Sequence, residues 1–472
     1  MKNDDEYFSD GEFREILKEY EDTVTSGQPV FMDADDLIDI AEYYLQQERY
    51  DDAQAAFGRA KDADPHSLAV LNYQIHEALH EGDIESAQQY LDRIMERESP
   101  EYIYSRAEIL IAQDRIDEAD KYLRDCFRDV PAEEYQDYVL DVANIYTDYG
   151  VSDKAMEWMM RARQENSDDF KELMARTLFG LGKYDDSERI FNELIDSNPF
   201  QKRYWNALAS TQYMKEDYSA SVTSSEYAIA IDPDDAEAVI AKANALYRLD
   251  NFEDALDYYQ RYSRLVPDDE YGPLHEGTCL INLGRYDEAI ERLQQALDIT
   301  PPDSELLVEI YQELAFAYSE KHDPDTALAY IDKTDALDCD HEDMYVIRGH
   351  ILLGNDRLKE GEKMFRRALQ LSDNDPHIML RILVSLYDNK YVEAAYTMFK
   401  KFFSITGSDW NEGYAYMALC CWDTRRTEEF MTYLKLASQK NPQETRLVLS
   451  GLFPPDMAVK DYYEYMVERL KN

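Results

Sequence analysis

Apolar residues recur at helical spacing along the chain, and small residues recur among them. At one recurring place a small residue is followed four positions later by a large apolar one, as in Ala53 and Phe57 or Ala255 and Tyr259. Residues four apart lie on the same face of an α-helix. Glycine (16) and proline (15) together make 31 of 472 residues, too few for the turns of an all-β fold. The pattern therefore predicts an all-α protein.

The prolines give this pattern a period. Four of them lie at intervals of 34 residues: Pro199, Pro233, Pro267 and Pro301. The sequences before three of these prolines are similar: Tyr184-Asp-Asp-Ser187-x3-Phe191, Phe252-Glu-Asp-Ala255-x3-Tyr259 and Tyr286-Asp-Glu-Ala289-x3-Leu293. A fixed period of this length predicts a repeat protein built from stacked units.

These residues, with Trp205-x2-Leu208-Ala209 upstream of one such segment, resemble the tetratricopeptide repeat (TPR). Its pattern is W-x2-L-G-x2-Y, then A-x3-F, then P, over 34 residues. The resemblance implies that each unit is a hairpin of two helices and that the array is an α-solenoid, a right-handed superhelix. It also implies that the first helix of each hairpin faces a concave groove.

The repeat pattern predicts about twelve units, which begin near Ala34, Leu68, Pro100, Gln136, Asp168, Lys202, Ala236, Glu270, Val308, Glu342, Asp375 and Asn411. Two helices that cross closely need small residues at the crossing. In most units positions 8 and 20 are small, as in Ala41 and Ala53 of the first unit or Gly349 and Gly361 of the tenth.

The ends of the chain carry amphipathic stretches that predict capping helices. Phe13, Ile16, Leu17 and Tyr20 precede the first unit, and the last residues contain a stripe formed by Val459, Tyr462, Met466 and Leu470. We therefore predict an acidic N-terminal segment with a capping helix over residues 1–33, the array over 34–441 and a C-terminal capping helix over 442–472. Extra residues at 300–308 predict a change in the superhelical path there.

The charge limits the partners that we expect. Lys and Arg number 49 against 99 Asp and Glu, a formal net charge of −50. Nucleic acids and anionic membrane surfaces attract basic proteins, so we expect neither as a partner. No apolar run approaches the ~18 residues that span a bilayer, and the first residues do not resemble a signal peptide. The five cysteines, an odd number without a C-x-x-C pair, favour a reducing compartment, and we expect a cytoplasmic protein.

One motif suggests chemistry. His76-Glu77-Ala78-Leu79-His80 is an H-E-x-x-H sequence, which on a helix can bind zinc through two imidazoles with the glutamate as general base. Glu108 occupies the place of His76 in the next unit and could be a third ligand. A TPR hairpin supplies no deep cleft for a substrate, however. We therefore expect no enzyme, no cofactor and no metal site, and keep a metal-dependent hydrolase as the alternative.

The TPR resemblance implies which side chains face the groove. Polar and aromatic residues at these positions are suited to holding an extended peptide or a partner helix. The candidate partner-binding residues are Asn72, His76, Tyr104, Glu108, Asn144, Arg176, Asn206, Tyr213, Asn244 and Tyr247. The sequence contains no candidate catalytic or cofactor-binding residue beyond the H-E-x-x-H motif.

Position 2 is acidic in most units: Asp35, Glu101, Asp137, Asp169, Glu237, Glu309, Asp343 and Glu412. Carboxylates in the first turn stabilise a helix through its dipole, and they could also steer a basic partner. The predicted function is a non-enzymatic scaffold or adaptor that binds a peptide, loop or helix of another protein, with bias to basic or neutral ligands. A second alternative is an acidic mimic of nucleic acid. The pattern predicts no particular oligomeric state.

The ends also resemble a group of uncharacterised bacterial proteins that are acidic, full-length TPR arrays. The similarity lies in Val30-Phe31-Met32-Asp33-Ala34-Asp35-Asp36-Leu37, in Tyr43-Tyr44-Leu45 and in Leu452-Phe453-Pro454. It implies the same architecture and a cytoplasmic location, without an attached enzyme domain.

Overall fold

A computed structural model of the chain describes residues 8, 10–47, 49–163, 167–407, 409–454 and 457–470. Within these residues the chain forms 27 α-helices and no strand, which confirms the predicted all-α fold. The helices are α1 (Gly11–Thr25), α2 (Ala34–Gln46), α3 (Tyr50–Ala63), α4 (Leu68–His80), α5 (Ile84–Arg93), α6 (Pro100–Ala112), α7 (Ile116–Cys126), α8 (Tyr135–Asp148), α9 (Ser152–Met159), α10 (Asp168–Gly180), α11 (Tyr184–Ser197), α12 (Lys202–Met214), α13 (Tyr218–Ile231), α14 (Ala236–Arg248), α15 (Phe252–Leu265), α16 (Tyr271–Asn282), α17 (Tyr286–Ile299), α18 (Leu307–Glu320), α19 (Pro324–Lys333), α20 (His341–Gly354), α21 (Leu358–Leu371), α22 (Pro376–Asp388), α23 (Val392–Ile405), α24 (Tyr414–Asp423), α25 (Thr427–Lys440), α26 (Pro442–Leu449) and α27 (Tyr462–Arg469).

Helices α2 to α25 form hairpins that follow the predicted units. In eleven of the twelve units the first helix begins within one residue of the predicted start. The twelfth begins at Tyr414, three residues after the predicted Asn411. The cause is Gly413, whose φ of +80° lies in the left-handed region, so the helix starts only after it.

The two helices of a hairpin cross at the small residues of positions 8 and 20. Ala41 and Ala53 are fully buried at the first crossing. The tenth unit, α20 and α21, has glycine at both places, and a Cβ at Gly361 would lie 3.1 Å from the backbone oxygen of Gly349. In the fifth unit Ser187 fits at the crossing because its hydroxyl donates a hydrogen bond to the oxygen of Ala175 at 2.9 Å.

The predicted repeat pattern of the eleventh unit is wrong by one residue. It places Ala394 at the crossing, but Ala394 is exposed and Ala395 is fully buried. Asp373 and Asn374 both adopt left-handed φ values before α22, which lengthens the connection by one residue. Phe399, rather than Met398, is then the large apolar residue that follows one turn later.

The chain separates into two compact units, Met1–Ala241 and Lys242–Asn472. In the first unit α1 caps the stack, because Phe13 and Tyr20 pack in one buried cluster with Leu37 and Tyr44. The predicted superhelical handedness and the change of path at 300–308 stay predictions.

In the second unit the C-terminal end differs in detail from the predicted single helix. The described residues 442–454 and 457–470 contain two helices, α26 and α27; one 3-10 turn, Ser450–Leu452, follows α26 and another, Val459–Asp461, precedes α27. Tyr462 and Met466 are buried as predicted, and the Tyr462 ring stacks on Phe453 with centroids 3.7 Å apart. Leu470 follows α27 and is 43% exposed, so it does not continue the apolar stripe.

Salt bridges between successive second helices occupy part of the acidic surface. A cation at or just before the start of a second helix contacts the first turns of the preceding one. Lys215 Nζ lies 2.6 Å from Asp185 Oδ1, and Arg426 Nη2 lies 2.9 Å from Glu393 Oε2. The same arrangement pairs Lys154 with Asp120, Arg285 with Glu253, Lys321 with Asp287 and Arg357 with Asp325. Basic residues are thus used on the second helices to join neighbouring repeats.

None of the helices in the described part of the chain combines the length and apolar character needed to cross a bilayer.

Candidate functional site

The first helices of the hairpins carry the ten predicted partner-binding residues, and we call their exposed and half-buried side chains the first-helix surface. In the first compact unit this surface comprises Asn72, His76, Tyr104, Glu108, Asn144, Arg176 and Tyr213, on α4, α6, α8, α10 and α12, whereas the candidate Asn206 on α12 is buried. In the second unit it includes Asn244 and Tyr247 on α14. The contacts of these residues decide which of them can receive a ligand.

Two contacts join α4 to α6. The Ser105 hydroxyl donates a hydrogen bond to Asn72 Oδ1 at 2.6 Å. His76 Nδ1 lies 3.6 Å from Glu108 Oε2, with the histidine side chain half exposed. Residues one repeat apart therefore meet on this surface, as the repeat pattern predicted for His76 and Glu108.

The Glu108 carboxyl group is largely buried with few contacts that would stabilise its negative charge. The side chain is 13% exposed, and its Oε2 atom is buried without a hydrogen-bond partner. Burial, with a smaller contribution from the negative charge of Asp148, raises the pKa of Glu108 to about 8. The group therefore carries a proton at neutral pH, because ionisation in a buried place without a cation is costly.

Replacing Glu108 with glutamine should raise the free energy of unfolding at pH 8.5 by about 1–3 kcal/mol. The unfolded chain releases this proton near pH 4.5, whereas the folded chain holds it to about pH 8. Stability from this proton is present at low pH and lost as the pH rises through 8, but glutamine stays neutral throughout. Urea unfolding of both proteins at pH 5 and 8.5 measures the difference.

Glu101→Gln is the matched control, because Glu101 is exposed in the first turn of the same helix. It should change stability by a few tenths of a kcal/mol, equally at both pH values. Equal effects of Glu108→Gln at pH 5 and 8.5 would show that Glu108 is ionised in the folded protein.

Tyr104 and Arg176 are held by neighbouring repeats. The Tyr104 hydroxyl donates to Asp141 Oδ2 at 3.1 Å, and its ring packs on Tyr138 at 5.7 Å. The Arg176 guanidinium donates to Asn144 Oδ1 at 3.1 Å and to Asp148 Oδ1 at 2.5 Å. These side chains, predicted only as ligand contacts, thus also join successive first helices.

Asn206 and Tyr213 on α12 differ in accessibility. Asn206 is 3% exposed and donates to Asp235 Oδ2 at 3.0 Å and Glu237 Oε2 at 3.1 Å, so its amide mainly joins repeats. Tyr213 is half-buried, and its ring makes an edge contact with Tyr218 at 5.3 Å. Tyr213 is therefore the better probe of ligand contact.

In the second unit Asn244 is a structural acceptor. Its Oδ1 accepts hydrogen bonds from the hydroxyls of Tyr259 at 2.7 Å and Tyr271 at 3.2 Å. Tyr247 contacts the Phe252 ring at 5.4 Å and accepts a hydrogen bond from Asn282 Nδ2 at 3.3 Å.

The H-E-x-x-H motif lies on α4, but its glutamate, Glu77, is hydrogen-bonded to a neighbouring helix. Gln54 Nε2 donates to Glu77 Oε1 at 2.7 Å, which ties Glu77 to the second helix of the first hairpin. Glu108 lies beside His76, as considered above for a third ligand. Within the residues that the structure describes, no three His, Cys, Asp or Glu side chains are grouped to hold a metal ion.

Sequence reasoning missed most of the partners that complete this surface. They include Ser105, Asp141 and Asp148, which contact candidates 28–37 residues away, about one period. The second unit contains a similar group, in which His350 Nδ1 lies 3.0 Å from Ser385 Oγ and 3.2 Å from Asn389 Nδ2. Polar residues spaced about 34 apart were the sequence signal that could have predicted these contacts between neighbouring repeats.

The acidic residues at position 2 have a role beyond the two predicted ones, stabilisation of the helix dipole and steering of a basic partner. Glu237 accepts a hydrogen bond from Asn206, and Asp343 contacts Arg381 of the next repeat. Glu412 Oε2 lies 3.4 Å from His377 Nδ1 of the preceding repeat. These carboxylates join neighbouring repeats. Glu237 and Asp343 also lie in first helical turns as predicted, whereas Glu412 precedes α24 because that helix begins only at Tyr414.

Comparisons with solved structures find similarity to MamA and YrrB. MamA from Desulfovibrio magneticus RS-1, from residue 41 to its end, is 18% identical with a TM-score of 0.35, and the match covers 37% of this chain and 97% of that one. YrrB, described as a TPR protein with an unusual peptide-binding site, is 16% identical with a TM-score of 0.34, covering 42% of this chain and 97% of that one. No curated protein matches the chain.

Four family models, each described as a tetratricopeptide repeat, match residues 173–236, 213–276, 274–334 and 342–375. The matched residues form hairpins α10 to α21 in the structure. Residues 173–375 of the chain therefore contain tetratricopeptide repeats.

Proposed function

We propose that the first-helix surface binds a peptide segment, loop or helix of a partner protein, with preference for basic or neutral ligands. As a TPR array the chain is a protein-interaction scaffold. The observation that carries the finer proposal is the contrast between the two sets of helices. The first helices present amides, hydroxyls and aromatic rings together with carboxyls that contact the neighbouring first helix, whereas carboxylates in the first turns of the second helices pair with cations of the next repeat.

The charge of the surface supports the preference for basic ligands. In the first unit Asp141 and Asp148 lie on it, and the nearby Arg176 is bound to Asp148. A cationic ligand gains from these carboxyls, whereas an acidic one meets repulsion. Because exposed charges are screened by salt, binding should weaken as the salt concentration rises.

A catalytic role has less support. TPR proteins are generally non-catalytic, and Glu77, the general base of the alternative hydrolase, is hydrogen-bonded to Gln54. We place the protein in the cytoplasm because its five cysteines are free thiols, which persist in a reducing compartment.

Affinity capture of partners from the native host at 0.1 M and 0.5 M salt tests this proposal, followed by binding measurements on variants. Tyr213→Ala should lower the affinity for the captured partner at least tenfold, because an aromatic contact at an interface contributes about 1–2 kcal/mol or more. Tyr50→Ala is the matched control, since Tyr50 is 65% exposed on the second helix α3.

The partner should bind through a basic or neutral segment and less tightly at high salt. Partners that bind through acidic segments, or that lose as much affinity with Tyr50→Ala as with Tyr213→Ala, would contradict the proposal.

A further inference from the structure

We infer that Glu108 recognises one cationic side chain, lysine or arginine, of the partner segment, and that this side chain enters beside His76. The inference rests on the proposed function and specifies its chemistry at one place of the first-helix surface.

The geometry leaves one buried oxygen of Glu108 unpartnered. Glu108 Oε2 has no hydrogen-bond partner, and an unsatisfied polar atom in a buried place destabilises the fold. His76, the side chain 3.6 Å away, is half exposed and can turn aside into solvent. A ligand that replaces the imidazole would reach Glu108 directly.

The charged and titratable groups around Glu108 favour a cation. His76 faces it from α4, Asp148 and Tyr149 interact with it from the end of α8, and Arg176 lies beyond Asp148 on α10. The Arg176 guanidinium donates its hydrogen bonds to Asp148 and Asn144 rather than to Glu108. The place therefore combines two carboxyl groups with one cation that is already paired.

A lysine or arginine fits this place better than a neutral donor. Charge-assisted hydrogen bonds to a carboxylate are about twice as strong as neutral ones. Glu108, which holds a proton at neutral pH, would give it up to the solvent when the cation binds. Each complex formed at pH 7 thus releases up to one proton, and affinity rises by up to tenfold per pH unit until the pH reaches about 8.

A displayed library of random twelve-residue peptides, selected on the full chain at pH 8, provides the probe. Calorimetry of selected peptides at pH 6 and 8, in buffers with different ionisation enthalpies, measures affinity and proton release. Amide hydrogen exchange then locates each peptide on the chain. Peptides that protect α4, α6 and α8 should share one lysine or arginine and bind the wild type at least tenfold more tightly at pH 8.

Glu108→Gln keeps the shape of the protonated side chain, so it should abolish both the proton release and the pH dependence. His76→Ala should leave both in place, and its thermal unfolding should match that of the wild type. Peptides that protect these helices without a shared cation, or that bind Glu108→Gln with an unchanged pH dependence, would overturn the inference alone. Selected peptides that protect only second helices would overturn the proposed function as well.

Discussion

Replacing Gly349 with alanine should lower the local free energy of unfolding of the tenth hairpin by about 1–3 kcal/mol. An added Cβ would lie 2.2 Å from Cε1 of the Phe365 ring, and Phe365 is itself buried between α20 and α21. The ring cannot move away without opening the crossing. Native-state amide hydrogen exchange, read helix by helix, should show lost protection in α20 and α21.

Gly58→Ala is the control for this prediction. Gly58 lies within α3, exposed and with no atom within 4 Å of an added Cβ. Alanine is a better helix former than glycine by about 1 kcal/mol, so protection in α3 should increase. If Gly349→Ala also increased protection, the close crossing at position 8 would not exist in solution.

The second large effect concerns Asn244. Asn244→Ala should cost about 1–3 kcal/mol, because it removes the two hydrogen bonds that Asn244 Oδ1 accepts from the hydroxyls of Tyr259 and Tyr271. Tyr259 is 1% exposed, so water cannot replace the amide without rearrangement. Chemical unfolding followed by hydrogen exchange in α15 and α16 measures this loss.

Asn282→Ala, in the next repeat, provides the comparison. Asn282 is exposed, and its hydrogen bond to Tyr247 is long at 3.3 Å, so the change should stay within about 0.5 kcal/mol. Equal effects of the two substitutions would mean that Asn244 does not join the seventh and eighth repeats. Asn244 would then again be a candidate for direct contact with a ligand.

The fold was largely predictable because the repeat imposes the same packing problem about every 34 residues. Small residues at two fixed places determine where helices cross, and most first helices begin where the pattern places them. The deviations arise from single loop residues. Gly413 delays α24, and left-handed Asp373 and Asn374 shift α22 by one residue. Most other left-handed residues recur at one place, in the loop between the two helices of a unit, as at Asp250 and Gly284. Gly413, Asp373 and Asn374 lie outside that place, so the period does not show them.

The candidate site was less predictable. Its residues were placed correctly on the first helices, but their contacts were not. Whether a side chain such as Tyr104 or Asn206 faces a ligand or a neighbour depends on side-chain length and on the rotation between adjacent hairpins. The unpartnered oxygen of Glu108 likewise follows from packing around one carboxyl group.

Hydrogen exchange of the chain with and without its captured partner tests the central claim most directly. The first-helix surface should bind the partner, so slowed exchange is expected in α4, α6, α8, α10 and α12. The second helices of the same hairpins, α5, α7, α9 and α11, should exchange as in the free protein. Protection confined to those second helices, with the first helices unchanged, would contradict the account.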